Sequence, residues 1–126
     1  MLTLRNDQIH AFQDSRRAEV EAWMLEHLRT HLSAAVGERG DAELLRLIRS
    51  GIARARLYGA VSQAAACLMV DIMAVLGEGF DTDPAYPWVP LILRDESLGS
   101  PAARIKQLSL AVLRHLSEQS GQESSP

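Results

Sequence analysis

Apolar residues recur every three to four positions over most of this chain, and from Ala64 to Leu76 they are almost continuous, with Asp71 the one polar residue in the run. The three-to-four spacing predicts amphipathic helices, and a helix apolar on nearly every side predicts the centre of a bundle. No segment alternates apolar and polar residues between hairpin turns, so no sheet is expected.

A first helix is predicted after a cap at Asn6 or Asp7, carrying Ile9, Phe12, Val20, Trp23, Leu28 and Leu32 on its apolar face and ending near Gly37. Asp41 should cap a second, with Glu43 in the first turn, a stripe of Leu44, Leu45, Ile48, Ile52, Ala55 and Tyr58, and a stop at Gly59. Gly51 lies inside that helix, where glycine costs about 1 kcal/mol relative to alanine, so another helix should approach closely there. Ser62 can cap the central helix and Gly77 can end it.

The loop that follows holds Pro84, Pro87 and Pro90 and leads into a short helix from about Trp88 to Arg94. Ser100 and Pro101 mark the start of the last helix, with Ile105, Leu108, Val112 and Leu116 on its inner face. The expected fold is all-α: a compact bundle of four main helices plus a short one around a central apolar helix. Residues 1–118 form one domain and 119–126 a flexible tail.

Charge and composition narrow the function classes. At 126 residues one self-sufficient core fits. Aromatic residues make up 5%, so Leu, Ala, Ile and Val are expected to do most of the filling of the core. A net charge of −3 argues against a protein that coats nucleic acid or anionic membrane, although a local basic face is compatible with it. Cys67 is the single cysteine, excludes an internal disulfide and reads as a small buried hydrophobe. The N-terminus shows no leader pattern, and the stretch from Ala60 to Leu76 is too short and too polar to span a bilayer, so a cytoplasmic location is expected.

No catalytic set is recognisable, and no metal or cofactor is expected. His27 and His31 share a helix face at a spacing that can bind zinc, but the glutamate of the metalloprotease pattern is missing and no further ligands are evident in the sequence. Asp81 and Asp83 in the loop can accept arginines from a partner, hold a cation, or close an Asx turn. Asp71 needs a partner or a route to solvent inside its apolar run; Arg54 or Arg56 is the expected ion-pair partner, and an exposed polar edge or a catalytic acid are the alternatives. Arg46, Arg49 and Arg56 recur on one side of the second helix, with Arg39 ahead of them, as a modest basic stripe. Phe80, Tyr86 and Trp88 either cap the bundle end or offer anchors to another protein.

The residues Gly51-Ile-Ala-Arg-Ala-Arg-Leu-Tyr-Gly59, Cys67-Leu-Met-Val-Asp-Ile-Met73, Gly77, Phe80-Asp81, Asp83-Pro84, Pro87-Trp88 and Ile92-Leu93 give the middle third of the chain a further meaning. In this order it resembles small all-helical accessory proteins encoded beside bacterial type VI secretion effectors and their loading adaptors. The resemblance implies a cytoplasmic co-chaperone that binds an effector or its adaptor, and it carries no catalytic residues.

The expectation is therefore a non-enzymatic protein-binding domain using Asp81, Asp83, Tyr86 and Trp88, joined by Arg46 and Arg49. It binds neither nucleic acid nor membrane, and self-association through the first helix would make a homodimer. The rivals are an immunity protein that blocks a toxin and a small metal-dependent hydrolase using Asp71, Asp81 and Asp83 or the histidine pair.

Overall fold

Helical periodicity becomes helix throughout. The computed structural model describes residues 6–123, with side chains over residues 15–120. Six helices follow one another: α1 (Asn6–His31), α2 (Ser33–Val36), α3 (Asp41–Leu57), α4 (Gln63–Leu76), α5 (Trp88–Leu93) and α6 (Pro101–Glu123). Single 3-10 turns lie at Phe80–Thr82 and Glu96–Leu98, and no strand is present among the described residues.

The apolar run forms the middle of the molecule. Helix α4 buries Ala65, Ala66, Cys67, Met69, Val70, Ile72, Met73 and Ala74, and it packs against α3, α6, α2 and α1. Leu44, Leu47, Ile48 and Ala55 of α3, Met24 and Leu28 of α1, and Ile105, Leu108 and Val112 of α6 close around it. Among the described residues, no helix is long and apolar enough to cross a membrane.

Several boundaries follow the local signals. The Ser62 hydroxyl accepts the Ala65 amide at 3.1 Å, and the Ser100 hydroxyl accepts that of Ala103 at 3.2 Å, so both serines cap as expected. Gly77 closes α4 at φ 105°, a conformation glycine adopts without a Cβ penalty. Gly51 is pressed against α4: a Cβ built on it would stand 2.4 Å from Val70 Cγ2 and 3.0 Å from Val70 Cα. Close packing of α3 on α4 is the reason for this glycine.

Other expectations are corrected. The first helix breaks after His31, and the short α2 carries the chain to Gly37. Gly40, not Asp41, occupies the cap position of α3, where its backbone is extended; Asp41 is already the first helical residue, and its carboxylate accepts from the Arg29 guanidinium. Trp23 and Leu116, placed on buried faces from spacing alone, are 49% and 37% exposed. Helix α6 continues through Glu123 into the segment expected to be a flexible tail, and residues 124–126 lie outside the described residues. Ile9 and Phe12 and the proposed cap side chains Asn6 and Asp7 also lie outside the described side chains.

Candidate functional site

Three side-chain assemblies carry chemistry: the folded loop after α4, a basic groove beside α3, and a polar cluster between α1 and α4.

The loop folds back on the bundle. Phe80 is fully buried, and the Asp81 carboxylate, with 8% of its side chain exposed, accepts from the Arg54 guanidinium and from the Tyr58 hydroxyl at 2.6 Å. Arg54 also donates to the Glu78 carbonyl at 3.1 Å, so α3 fastens both sides of the turn. Asp83 accepts the Ala85 amide at 2.9 Å, closing an Asx turn. Tyr86 and Trp88 meet edge to face at 6.0 Å, and both rings pack on His115 of α6 at 5.6 and 5.5 Å. The acidic and aromatic residues expected to face a partner are largely engaged within the chain. Burial, followed by the hydrogen bond and charge of Asp81, pushes the Tyr58 phenol up to about 12.

A groove of about 770 Å³ opens between α1, α3 and the start of α4. Arg16, Arg17, Val20 and Glu21 line it from α1, Arg49, Ile52, Ala53 and Arg56 from α3, and residues 60–63 with Ala66 from the α4 side. Four guanidiniums thus face one carboxylate. Glu21, 6% exposed, receives a forked pair of hydrogen bonds from Arg49 Nε and Nη2 at 3.0 and 3.1 Å, which fixes Arg49 and holds its proton more firmly than usual. Arg16, Arg17 and Arg56 form no ion pair among the described residues and are exposed. The positive end of α4 adds to this field. Arg46, expected beside Arg49 in a binding role, is exposed on α3 and is not part of the lining. Arg16 and Arg17 were not singled out from sequence. Their adjacency on the first helix was the available signal, but only packing brings them opposite α3.

The third assembly corrects the expected ion pair of Asp71. Its partner is His27 of α1, whose Nε2 lies 3.0 Å from both carboxylate oxygens, and not Arg54 or Arg56. Arg54 is committed to Asp81, and Arg56 lines the groove. Cys67 is buried one helical turn before Asp71, and donor atoms of His27, Cys67 and Asp71 all lie within 4.8 Å of one another. Trp23 stacks on the His27 ring at 5.6 Å from the turn before, and the His31 ring lies 5.2 Å away on the turn after, along the same face of α1.

Burial raises the Asp71 carboxyl above its ordinary range, while the His27 hydrogen bond and the charges of His27 and His31 draw it part of the way back. Burial, then the Asp71 charge, pushes the Cys67 thiol up to about 11. A thiol so shifted is a poor nucleophile at neutral pH, since the thiolate is the reacting form. His27 also points Nε2 at Asp71, so this constellation is not arranged as an activated cysteine. The three aspartates considered for hydrolysis are not gathered: Asp71 pairs with His27, Asp81 with Arg54, and Asp83 with its own turn.

Exposed apolar side chains are sparse on α1, where Trp23 is the large one described. On α6, Leu110, Leu113 and Leu116 recur on the outer side at 47%, 62% and 37% exposure.

Comparisons with protein-family models, with curated proteins and with solved structures returned no match to this chain.

Proposed function

We propose that this chain is a non-enzymatic helical accessory protein that binds an acidic segment of another protein in the groove between α1, α3 and the start of α4. The observation that carries the reading is the lining: Arg16, Arg17 and Arg56 surround a concavity of about 770 Å³, and Arg49 is held in place by Glu21. Guanidiniums recognise carboxylates through paired hydrogen bonds, and a concave wall raises their field above that of a flat surface. Val61, 84% exposed at the lip, and the partly buried Val20 and Ile52 supply apolar contacts for a segment that also carries hydrophobic side chains. The acidic loop contributes here as the fastening of the bundle end. The resemblance to type VI secretion accessory proteins makes an effector or its loading adaptor the first partner to test.

The test is capture from the native cytoplasm by tagged wild-type chain, by an Arg16→Glu/Arg17→Glu/Arg56→Glu variant and by a Trp88→Ala variant, with helicity followed by circular dichroism. A protein retained by the wild type and by Trp88→Ala but lost from the folded arginine variant supports the groove. Equal capture by the arginine variant, or capture of nucleic acid in place of protein, rejects it.

A further inference from the structure

The polar cluster between α1 and α4 has a composition that the binding reading does not use. His27 and His31 stand four residues apart on α1, and Cys67 and Asp71 stand four residues apart on α4, so each helix presents two donor side chains on one face. The two helices pack together, and donor atoms of His27, Cys67 and Asp71 fall within 4.8 Å of one another.

We propose that His27, Cys67 and Asp71 form a binding site for a zinc-class divalent metal ion. In a tetrahedral zinc site with metal–nitrogen and metal–oxygen bonds of about 2.0–2.1 Å, neighbouring nitrogen and oxygen ligands are about 3.3 Å apart. The 3.0 Å between His27 Nε2 and each Asp71 oxygen is already close to that edge. A sulfur edge of about 3.6 Å follows from a zinc–sulfur bond of about 2.3 Å, so the sulfur edges need to close by about 1.2 Å at most. One imidazole nitrogen, one carboxylate and one thiolate suit zinc and its neighbours, whereas magnesium and calcium prefer all-oxygen shells.

Binding balances simply. Cys67 releases its thiol proton to solvent, and the His27 proton moves to Nδ1 so that Nε2 offers its lone pair. The Trp23 ring stacked on His27 limits the swing of the imidazole. His31, exposed and with its ring 5.2 Å from that of His27, stands one turn further along α1, and water can take the remaining position. The plain alternative is a hydrogen-bonded His27–Asp71 pair with Cys67 serving only as packing. The two readings differ in whether the sulfur takes part.

The experiment titrates the full chain, stripped with a chelator and desalted, with cobalt(II) alone. The expected result is one cobalt per chain, a near-ultraviolet thiolate-to-cobalt charge-transfer band, strong visible bands of a tetrahedral ion, and displacement by zinc. Cys67→Ser should remove the charge-transfer band. His27→Gln and Asp71→Asn should each weaken binding by more than about tenfold, since even outer partners of metal ligands are worth about 10–100-fold. His115→Gln should leave binding unchanged. Failure of the wild type to take up cobalt, or uptake without the sulfur band, overturns the site, and this wild-type result stands even where a variant fails to fold.

Discussion

The Tyr58 hydroxyl donates to the Asp81 carboxylate at 2.6 Å, joining the residue that caps the end of α3 to the loop that follows α4. Arg54 neutralises the same carboxylate, and two side chains four positions apart at the end of α3 thereby fix the end of the bundle. Removing the cation would leave a nearly buried charge with only a neutral donor. Arg54→Ala is therefore expected to destabilise the fold by about 2–4 kcal/mol, more than Tyr58→Phe does. Chemical denaturation of the two variants checks the order.

The same pair sets an alkaline response. Tyr58 gives up its proton near pH 10 in an unfolded chain and at about 12 in the folded one, so the native state binds more protons across that interval. Stability must fall as pH rises through it. Cys67 acts with the same sign, its thiol being pushed up to about 11 in the folded chain. Thermal unfolding followed from neutral pH up to about pH 11 should show this decline, and Tyr58→Phe should make it shallower.

Gly51 and Val70 are in contact across the α3–α4 interface, and this contact decides the effect of an otherwise favourable substitution. Alanine would gain about 1 kcal/mol in helix propensity, but its Cβ would meet both the side chain and the backbone of Val70. Gly51→Ala is expected to lose about 1–3 kcal/mol net through overpacking. Val70→Ala removes the nearest methyl group, so the double variant should be more stable than the sum of the single losses predicts. A four-member denaturation cycle measures the coupling.

Phe80 separates a folded loop from a free one. Its side chain is fully buried, and truncation to alanine should cost about 3–5 kcal/mol as a cavity opens beneath the loop. Thr82→Ala, on the exposed side of the same turn, should change stability by less than about 0.5 kcal/mol. Equal, small effects would mean that the loop does not cap the core.

The origin of these features separates into two kinds. Helix positions, the Ser62 and Ser100 caps, the Gly77 stop and the central place of α4 were legible because each depends on neighbours a few residues away: a periodicity, a short side chain before a turn, a glycine after one. The need of Asp71 for a partner was legible too, since a charge inside an apolar run requires one. Its identity was not. His27 lies 44 residues away, and only the packing of α1 on α4 selects it over the arginines nearer in sequence.

The same holds for Asp81, which looked like a surface acid until Arg54, 27 residues earlier, was found against it. Arg16 and Arg17 were two charges on a helix until α3 closed the far wall of the groove. The sequence by itself determined where the main helices form, which of them lies at the centre, and that Gly51 marks a close approach, because these follow from local backbone preferences and the burial of apolar surface. It did not determine the break after His31 or the full length of α6. Tertiary structure alone decided which polar side chains meet. Charge pairing depends on distance in space, and the choice among thirteen cationic and sixteen acidic residues is made only when the helices set their crossing and rotation.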